Sequence, residues 1–421
     1  MIRRRVELLR KAISRIILSL LLINILTMAF NVQPAKAARE THPAVGTYVG
    51  GHISENTTWA FPDSPYIVVE DTVVEEGVFL AIEPGVVVKF AGETTLVIDG
   101  VLIARGNTTH KITFTSNSST PNPGDWKGIK FRASSTDSVL SWTIVEYAGS
   151  DWYGDWAVYI EGSSVRLVNC VIHSNIYAVE ARSGALLIVQ NCNITNNMYG
   201  IYARSETQIY ASTFSNNEEG VRIGGAHVKV YGSTFSNNGK AIREYVSGSY
   251  LYLTRSEISN NIDGVCWISH VEISESVISH NNGTGIISHD WDSFRIINST
   301  ISDNKQNGIT CEGYNPAQKE IHFSNIFNNT PYDVVNNLEY GFDINATYNW
   351  WGTTNETLID ENIYDYYDDY NLGKVLYKPY LRVPAVIPEF LSTIILPLLM
   401  LSTLTVTVLL KKNRKTIPQL P

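Results

Sequence analysis

Between positions 140 and 345 apolar residues return at intervals of 20 to 25, with one longer first interval. In one series an apolar residue stands two or three places ahead of an Asn-Asn or related pair. Ile172 precedes Ser174-Asn175, Ile194 precedes Asn196-Asn197, Phe214 precedes Asn216-Asn217 and Phe235 precedes Asn237-Asn238. The series continues with Ile258 before Asn260-Asn261, Ile278 before His280-Asn281, Ile301 before Asp303-Asn304 and Ile326 before Asn328-Asn329. A second series sets a small residue before a β-branched one, from Ala178-Val179 and Gly200-Ile201 to Gly308-Ile309. A third, five residues ahead of the first, includes Leu167, Val189, Ile209, Val230, Leu253 and Ile273. Three ladders predict three short strands per repeat, with inward apolar and outward polar side chains and a polar turn after each. No such coil buries its apolar edge alone, so coils must stack about 4.8 Å apart around one long core. The predicted fold is all-β, a parallel β-helix with three short strands per coil. Its Asn pairs fall at corners, where Asn tolerates a left-handed backbone and its amide reaches the same Asn one coil along.

The pattern also divides the chain. Residues 66–131 read as opening coils, with turns at Pro84-Gly85 and Asp99-Gly100, and the β-helix as a whole covers 66–345. Residues 38–65 are a lead-in, and 346–386 a C-terminal cap in which Trp350 and Trp351 plug the core. At the N-terminus Arg3, Arg4, Arg5, Arg10, Lys11 and Arg15 precede an apolar run, Ile16 to Phe30, and then Ala35-Lys36-Ala37. That is the layout of a secretory signal peptide over 1–37, with an uncleaved anchor as the alternative. Leu391 to Leu410 is twenty residues without a charge, enough to span a hydrocarbon core of roughly 30 Å. Lys411, Lys412, Arg414 and Lys415 follow at once, which makes 411–421 a cytoplasmic tail and puts everything before the span outside.

Charge is then counted by compartment. Residues 38–390 hold 21 basic and 40 acidic side chains, a net charge of −19. Such a surface repels nucleic acid, which is excluded as a partner, and suits divalent cations. Sequons begin at Asn56, Asn107, Asn117, Asn193, Asn282, Asn298, Asn328, Asn345 and Asn355, all in the predicted ectodomain and all candidates for glycosylation. A repeat rich in Asn, Ser and Thr also makes sequons by chance. Four cysteines are too few for a disulfide-built scaffold and match no zinc spacing. Cys170 and Cys192 share one register in adjacent coils, which suits either a disulfide or two buried thiols. Cys266 and Cys311 are out of register and read as packing residues.

The opening coils "LAIEPGVVVKF" (80–90), "LVIDGVLIARGNTTHKITFTS" (96–116) and "GDWKGIKF" (124–131) resemble those of right-handed β-helix surface proteins of archaea and bacteria. The later coils are similar to repeats grouped with NosD-type and carbohydrate-binding and sugar-hydrolysis domains. "YNWWGT" (348–353) with "LGKVLYKPYL" (372–381) resembles the closing segment of those proteins. The similarity covers about 75–382 and implies a right-handed parallel β-helix more than any one activity. "IPEF" (387–390) ahead of the apolar span resembles a PEF-type sorting signal of archaeal surface proteins. It implies an archaeosortase-like enzyme as a partner; a plain membrane anchor over 387–410 explains the same residues.

β-Helix polysaccharide enzymes set the test for catalysis. Glycoside hydrolysis needs two carboxyl groups flanking the bond, and lyases of this fold need acidic calcium ligands with a basic residue. The outward positions of the repeat read mostly as Ser, Thr, Asn and Tyr, so no catalytic residue is assigned. The richest neighbourhood holds His270, His280, His289, Asp290, Asp292 and Asp303. His280, His289, Asp290, Asp292 and Asp303 are candidates for a cleft; corner polar residues and one loop excursion are the preferred explanation. Within the acidic run Asp360, Glu361, Asp365, Asp368 and Asp369, the last three are candidate calcium ligands, against an acidic, Tyr-rich cap. Calcium is the only cofactor the sequence suggests, and none is required. Trp152, Tyr153 and Trp156 crowd one insertion, either to stack on sugar rings or to cover the junction between opening coils and regular stack.

The reading that follows is a rigid rod on the outer face of the cell membrane that recognises glycans or surface-layer components. An extracellular polysaccharide lyase or glycoside hydrolase is the alternative. A NosD-type accessory role in copper-site maturation comes third, because the chain has no Met/His/Cys-rich copper motif.

Overall fold

The computed structural model describes residues 46–135, 137–149, 155–288, 294–313, 319–338 and 341–387. The expected signal peptide, the span Leu391 to Leu410 and the basic tail lie outside the described residues, as do Trp152, Tyr153, His289, Asp290 and Asp292. Among the described residues no helix is long and apolar enough to cross a membrane.

The chain winds as a right-handed, all-β parallel solenoid with three faces. The first face is a 14-stranded sheet that runs from Thr57–Trp59 to Val375–Leu376. The second is built of three-residue strands such as Asn193–Thr195, Thr213–Ser215 and Thr234–Ser236. The third has longer strands, among them Val158–Glu161, Tyr177–Arg182, Tyr199–Ala203, Glu219–Gly224, Lys240–Val246 and Asp263–Ile268. The last two faces join in one 25-stranded sheet. Tyr66–Val74 runs unbroken round the corner between them, pairing with Val87–Phe90 on one side and Thr95–Ile98 on the other.

Stacking begins inside the region read as a lead-in: Thr47–Ile53 pairs with Tyr66–Val74, and Thr57–Trp59 with Phe79–Ile82. At the other end Ile363–Tyr364 and Val375–Leu376 extend two faces into the cap. A short helix, Glu356–Glu361, is started there by Asn355, whose side chain accepts from Thr357 N. Trp351 is buried and Trp350 half-buried against the last coils.

Two ladders of polar side chains run inside the core. At the corner between second and third faces the first residue of each pair is left-handed, as at Asn196, Asn216, Asn237, His280 and Asp303. The second is buried and bonds its successor: Asn197 Nδ2 donates to Asn217 Oδ1 at 3.1 Å, Asn217 Nδ2 to Asn238 Oδ1 at 3.0 Å, and Asn238 Nδ2 to Asn261 Oδ1 at 2.9 Å. The same carbonyl oxygens accept backbone N–H groups, so each rung is bonded on both sides. Asp333 ends the ladder, its Oδ1 accepting from Asn329 N and Nδ2.

The corner between first and second faces repeats the device with serine. A left-handed residue such as Ala211, Gly232 or Arg255 is followed by an inward hydroxyl that accepts the N–H one coil before it. Ser212 N donates to Ser233 Oγ, Ser233 N to Ser256 Oγ, and Ser256 N to Ser276 Oγ. Cys170 and Cys192 are the first rungs of this ladder: Cys170 N donates to Cys192 Sγ at 3.4 Å, and Cys192 N to Ser212 Oγ at 3.1 Å. All four cysteines are free thiols. Burial pushes those of Cys266 and Cys311 up to about 12, which removes them as nucleophiles.

Candidate functional site

Outward side chains of the third face fall into columns, one residue per coil and about 4.8 Å apart. One column reads Lys130, Tyr159, Glu180, Tyr202, Arg222 and Arg243. Beside it runs Tyr177, Tyr199, Glu219 and Lys240. Four of these ten residues are the Tyr that the sequence predicts at outward positions; the six Lys, Arg and Glu are not. A third of the coil perimeter is enough to hide such a column when the outward residues of all three faces are read together.

Trp156, Tyr177 and Tyr199 form the base of the patch. Trp156 lies 5.0 Å from Tyr177, and Tyr177 stacks on Tyr199 at 5.3 Å. All three are buried, so Trp156 packs over the junction of the coils. The Arg222 guanidinium covers Tyr199 at 3.7 Å and approaches Tyr245 at 4.7 Å. Glu219 holds two guanidiniums: Arg222 Nε donates to Oε2 and Arg243 Nη1 to Oε1, both at 2.7 Å. Arg204 pairs more loosely with Glu180 at 3.5 Å.

Two successive coils each insert one extra residue here. Ile223 pairs with Glu244 and Gly224 with Val246, which leaves Tyr245 as the additional residue of its strand. One coil on, Cys266 pairs with Ile287 and Ile268 with Ser288, which leaves Trp267. A bulge re-aims a side chain out of the pleat, and both residues are the exposed aromatics of the face, Tyr245 at 57% and Trp267 at 36%. Trp267 is left-handed, with φ 57, a conformation a bulky residue adopts at a cost of roughly 1–3 kcal/mol. Arg243 lies 5.2 Å from the Trp267 ring and Lys240 5.9 Å. Glu244 ties down the bulged strand, accepting from Ser249 N at 2.8 Å and Ser269 N at 2.7 Å.

The two buried carboxyls of the patch are shifted in opposite directions. Burial pushes the Glu180 carboxyl up, against the pull of Arg182 and Arg204. Burial acts on Glu219 too, but the hydrogen bonds of Arg222 and Arg243 outweigh it and hold that carboxyl below its ordinary value. Glu219 in turn raises Arg222 above its usual range despite burial. The result is a fixed pair of guanidiniums between two protruding rings.

The family model described as "Right handed beta helix region" matches residues 67–214 and 189–328, more than half the chain. The chain belongs to the right-handed β-helix family. It is 41% identical over 73 residues to "Protein bark beetle" of Drosophila melanogaster, a stretch covering 17% of this chain and 2% of that protein. Among solved structures it is similar to the periplasmic alginate epimerase AlgG, with 12% identity, TM-score 0.44, and 76% of this chain and 77% of that one covered. It is also similar to the A-module of the Azotobacter vinelandii mannuronan C-5 epimerase AlgE6, with 14% identity, TM-score 0.36, and 82% and 92% covered. Neither likeness bears on the chemistry of this β-helix.

The other sequence candidates are placed elsewhere. His280 and Asp303 occupy successive corners of one column, both left-handed, and Asp303 Oδ1 accepts from Asn328 Nδ2. They stand on a ridge away from the bulges. In the cap Asp365 spends one oxygen on Tyr367 N in its own turn and the other on Val375 N of the last strand. Asp368 accepts from Asp365 N, and Asp369 from Asn371 N. Among the described residues no group of three or more His, Cys, Asp or Glu is placed to hold a metal ion. A cleft of about 630 Å³ opens in the cap beside Asp360, Tyr377 and Lys378; burial and then Asp360 push the Tyr377 hydroxyl up to about 12. Of the sequon residues, Asn298 and Asn345 are half-buried, and Asn56, Asn107, Asn117, Asn193, Asn282, Asn328 and Asn355 are exposed.

Proposed function

We propose that this β-helix is an exported surface rod whose third face binds glycans. One observation carries the reading: two consecutive coils break register to push Tyr245 and Trp267 outward around guanidiniums held by Glu219. Rigid aromatic rings supply stacking area for sugars at little entropic cost, and the fork of arginine supplies directed donors. Backbone strain at a partly exposed tryptophan has a cost, and strain of that kind collects at functional sites. The signal-peptide layout of 1–37 and the uncharged run Leu391 to Leu410 support a position on the outer face of the membrane. The NosD-type and PEF-type resemblances, with an archaeal source, surface-layer partners and an archaeosortase-like enzyme, belong to the same proposal and rest on "YNWWGT" and "IPEF".

One observation favours a second reading, that of a polysaccharide lyase or glycoside hydrolase. Glu180 and Glu219 are near-buried carboxyls pushed in opposite directions, as a general acid and its ionised partner would be. A glycan-array screen of the ectodomain, with and without calcium, separates the readings when each hit is followed by product analysis. Binding without turnover, lost in Tyr245→Ala and Trp267→Ala, supports the binding rod. Turnover lost in Glu180→Gln supports the enzyme. Full binding in both aromatic variants places recognition elsewhere and overturns the proposal.

A further inference from the structure

Three cations at the bulge site meet two carboxylates. Arg222 and Arg243 share Glu219, and Lys240, in register with Glu219 on one side and Asp263 on the other, reaches toward Trp267. Arg243 shows a second imbalance. Its Nη1 is bonded to Glu219, but its Nε–H is buried and has no acceptor among the described residues. A buried donor left without an acceptor opposes folding, and here it sits on the guanidinium that faces the strained, exposed Trp267. The local sign is also the reverse of the whole: cations gather at this site on an ectodomain of net charge −19.

We propose, resting on the glycan-binding reading, that the site selects a sugar bearing an oxyanion, a carboxylate or a sulfate, over a neutral one. The oxyanion accepts from the exposed edge of Arg243, whose side chain is 29% exposed, while the ring stacks on Tyr245 or Trp267. Glu219 is the positioning residue. By fixing Arg222 and Arg243 through their other nitrogens it keeps the fork from swinging away, so less freedom is lost on binding. A guanidinium meeting an oxyanion is a charge-assisted contact that a neutral hydroxyl cannot match.

The test is calorimetric titration of the full chain in detergent with three oligosaccharides of equal length: a polyuronate, a sulfated glycan and a neutral hexose chain. At least one acidic ligand should bind roughly tenfold or more tightly than the neutral one. That advantage should shrink as salt is raised, because exposed charge is screened, and vanish in Arg243→Gln. The uronate and sulfate arms tell the two oxyanions apart. Equal affinity for all three overturns the inference and leaves the glycan reading standing. An acidic preference that survives Arg243→Gln overturns the assignment to this residue, and failure to bind any glycan overturns both. The salt dependence and the acidic-to-neutral ratio are read on the unaltered chain, so they decide even where Arg243→Gln fails to fold.

Discussion

Each corner of the coil makes two different demands on two adjacent residues. At Asn237-Asn238 the first residue supplies a left-handed backbone, φ 57, and the second a buried amide bonded to Asn261 and to Phe214 O. Asn237→Gly should therefore leave the thermal midpoint within a few degrees. Asn238→Ala strips partners from Asn217 N and Nδ2 and should cost roughly 2–4 kcal/mol in thermal or urea melts. The Asn pairs were plain in the sequence, but the division of labour was not, because both members are the same residue. Serine hid its ladder for a related reason: a Ser two places before an apolar residue looks like any outward polar position. Cys170 and Cys192 were legible as a register match without a role. As rungs they should accept replacement by the hydroxyl that follows them, so Cys192→Ser should shift stability by less than about 1 kcal/mol, and Cys192→Val by more.

Asp333 gives the residue scale a pH signature. Burial raises its carboxyl from 3.8 to about 6, with Asn329 pulling the other way. The fold then holds this proton more tightly than the unfolded chain does. Its contribution to stability is complete below about pH 4, falls as pH rises through about 6, and stays lower above. Asp333→Asn continues the ladder without the charge. It should gain roughly 2–3 kcal/mol at pH 7 and flatten the decline between those two values in denaturation curves taken across pH.

The strand is the scale at which the candidate site is made. A residue-by-residue reading of inward and outward positions finds the coil but not a bulge, since an extra residue shows only when two coils are aligned in register. Tyr245 and Trp267 follow ordinary strand sequence, "IREY" and "GVCW", and nothing local marks them as additional. The aromatic signal that was legible, around Trp156, lies on the same face but belongs to the packed base of the patch. Trp267→Gly should separate stability from function. It relieves the left-handed strain, so the thermal midpoint should hold or rise, while glycan affinity falls. A midpoint that drops sharply would make Trp267 a packing residue instead.

At the scale of the molecule the solenoid is a regular stack whose third face is interrupted by two successive bulges. The three ladders of apolar residues specify that stack, and the chain adds strands at each end of what the pattern covers, from Thr47–Ile53 to Val375–Leu376. The net charge of −19 over residues 38–390 resists side-by-side association of such solenoids unless cations intervene. Amide hydrogen exchange of the chain with and without a bound oligosaccharide tests the central claim most directly. The account predicts slowed exchange confined to Tyr199–Ala203, Glu219–Gly224, Lys240–Val246 and Asp263–Ile268. Protection centred instead on the corner at His280 and Asp303, or on the cap around Asp365 to Lys378, would contradict it.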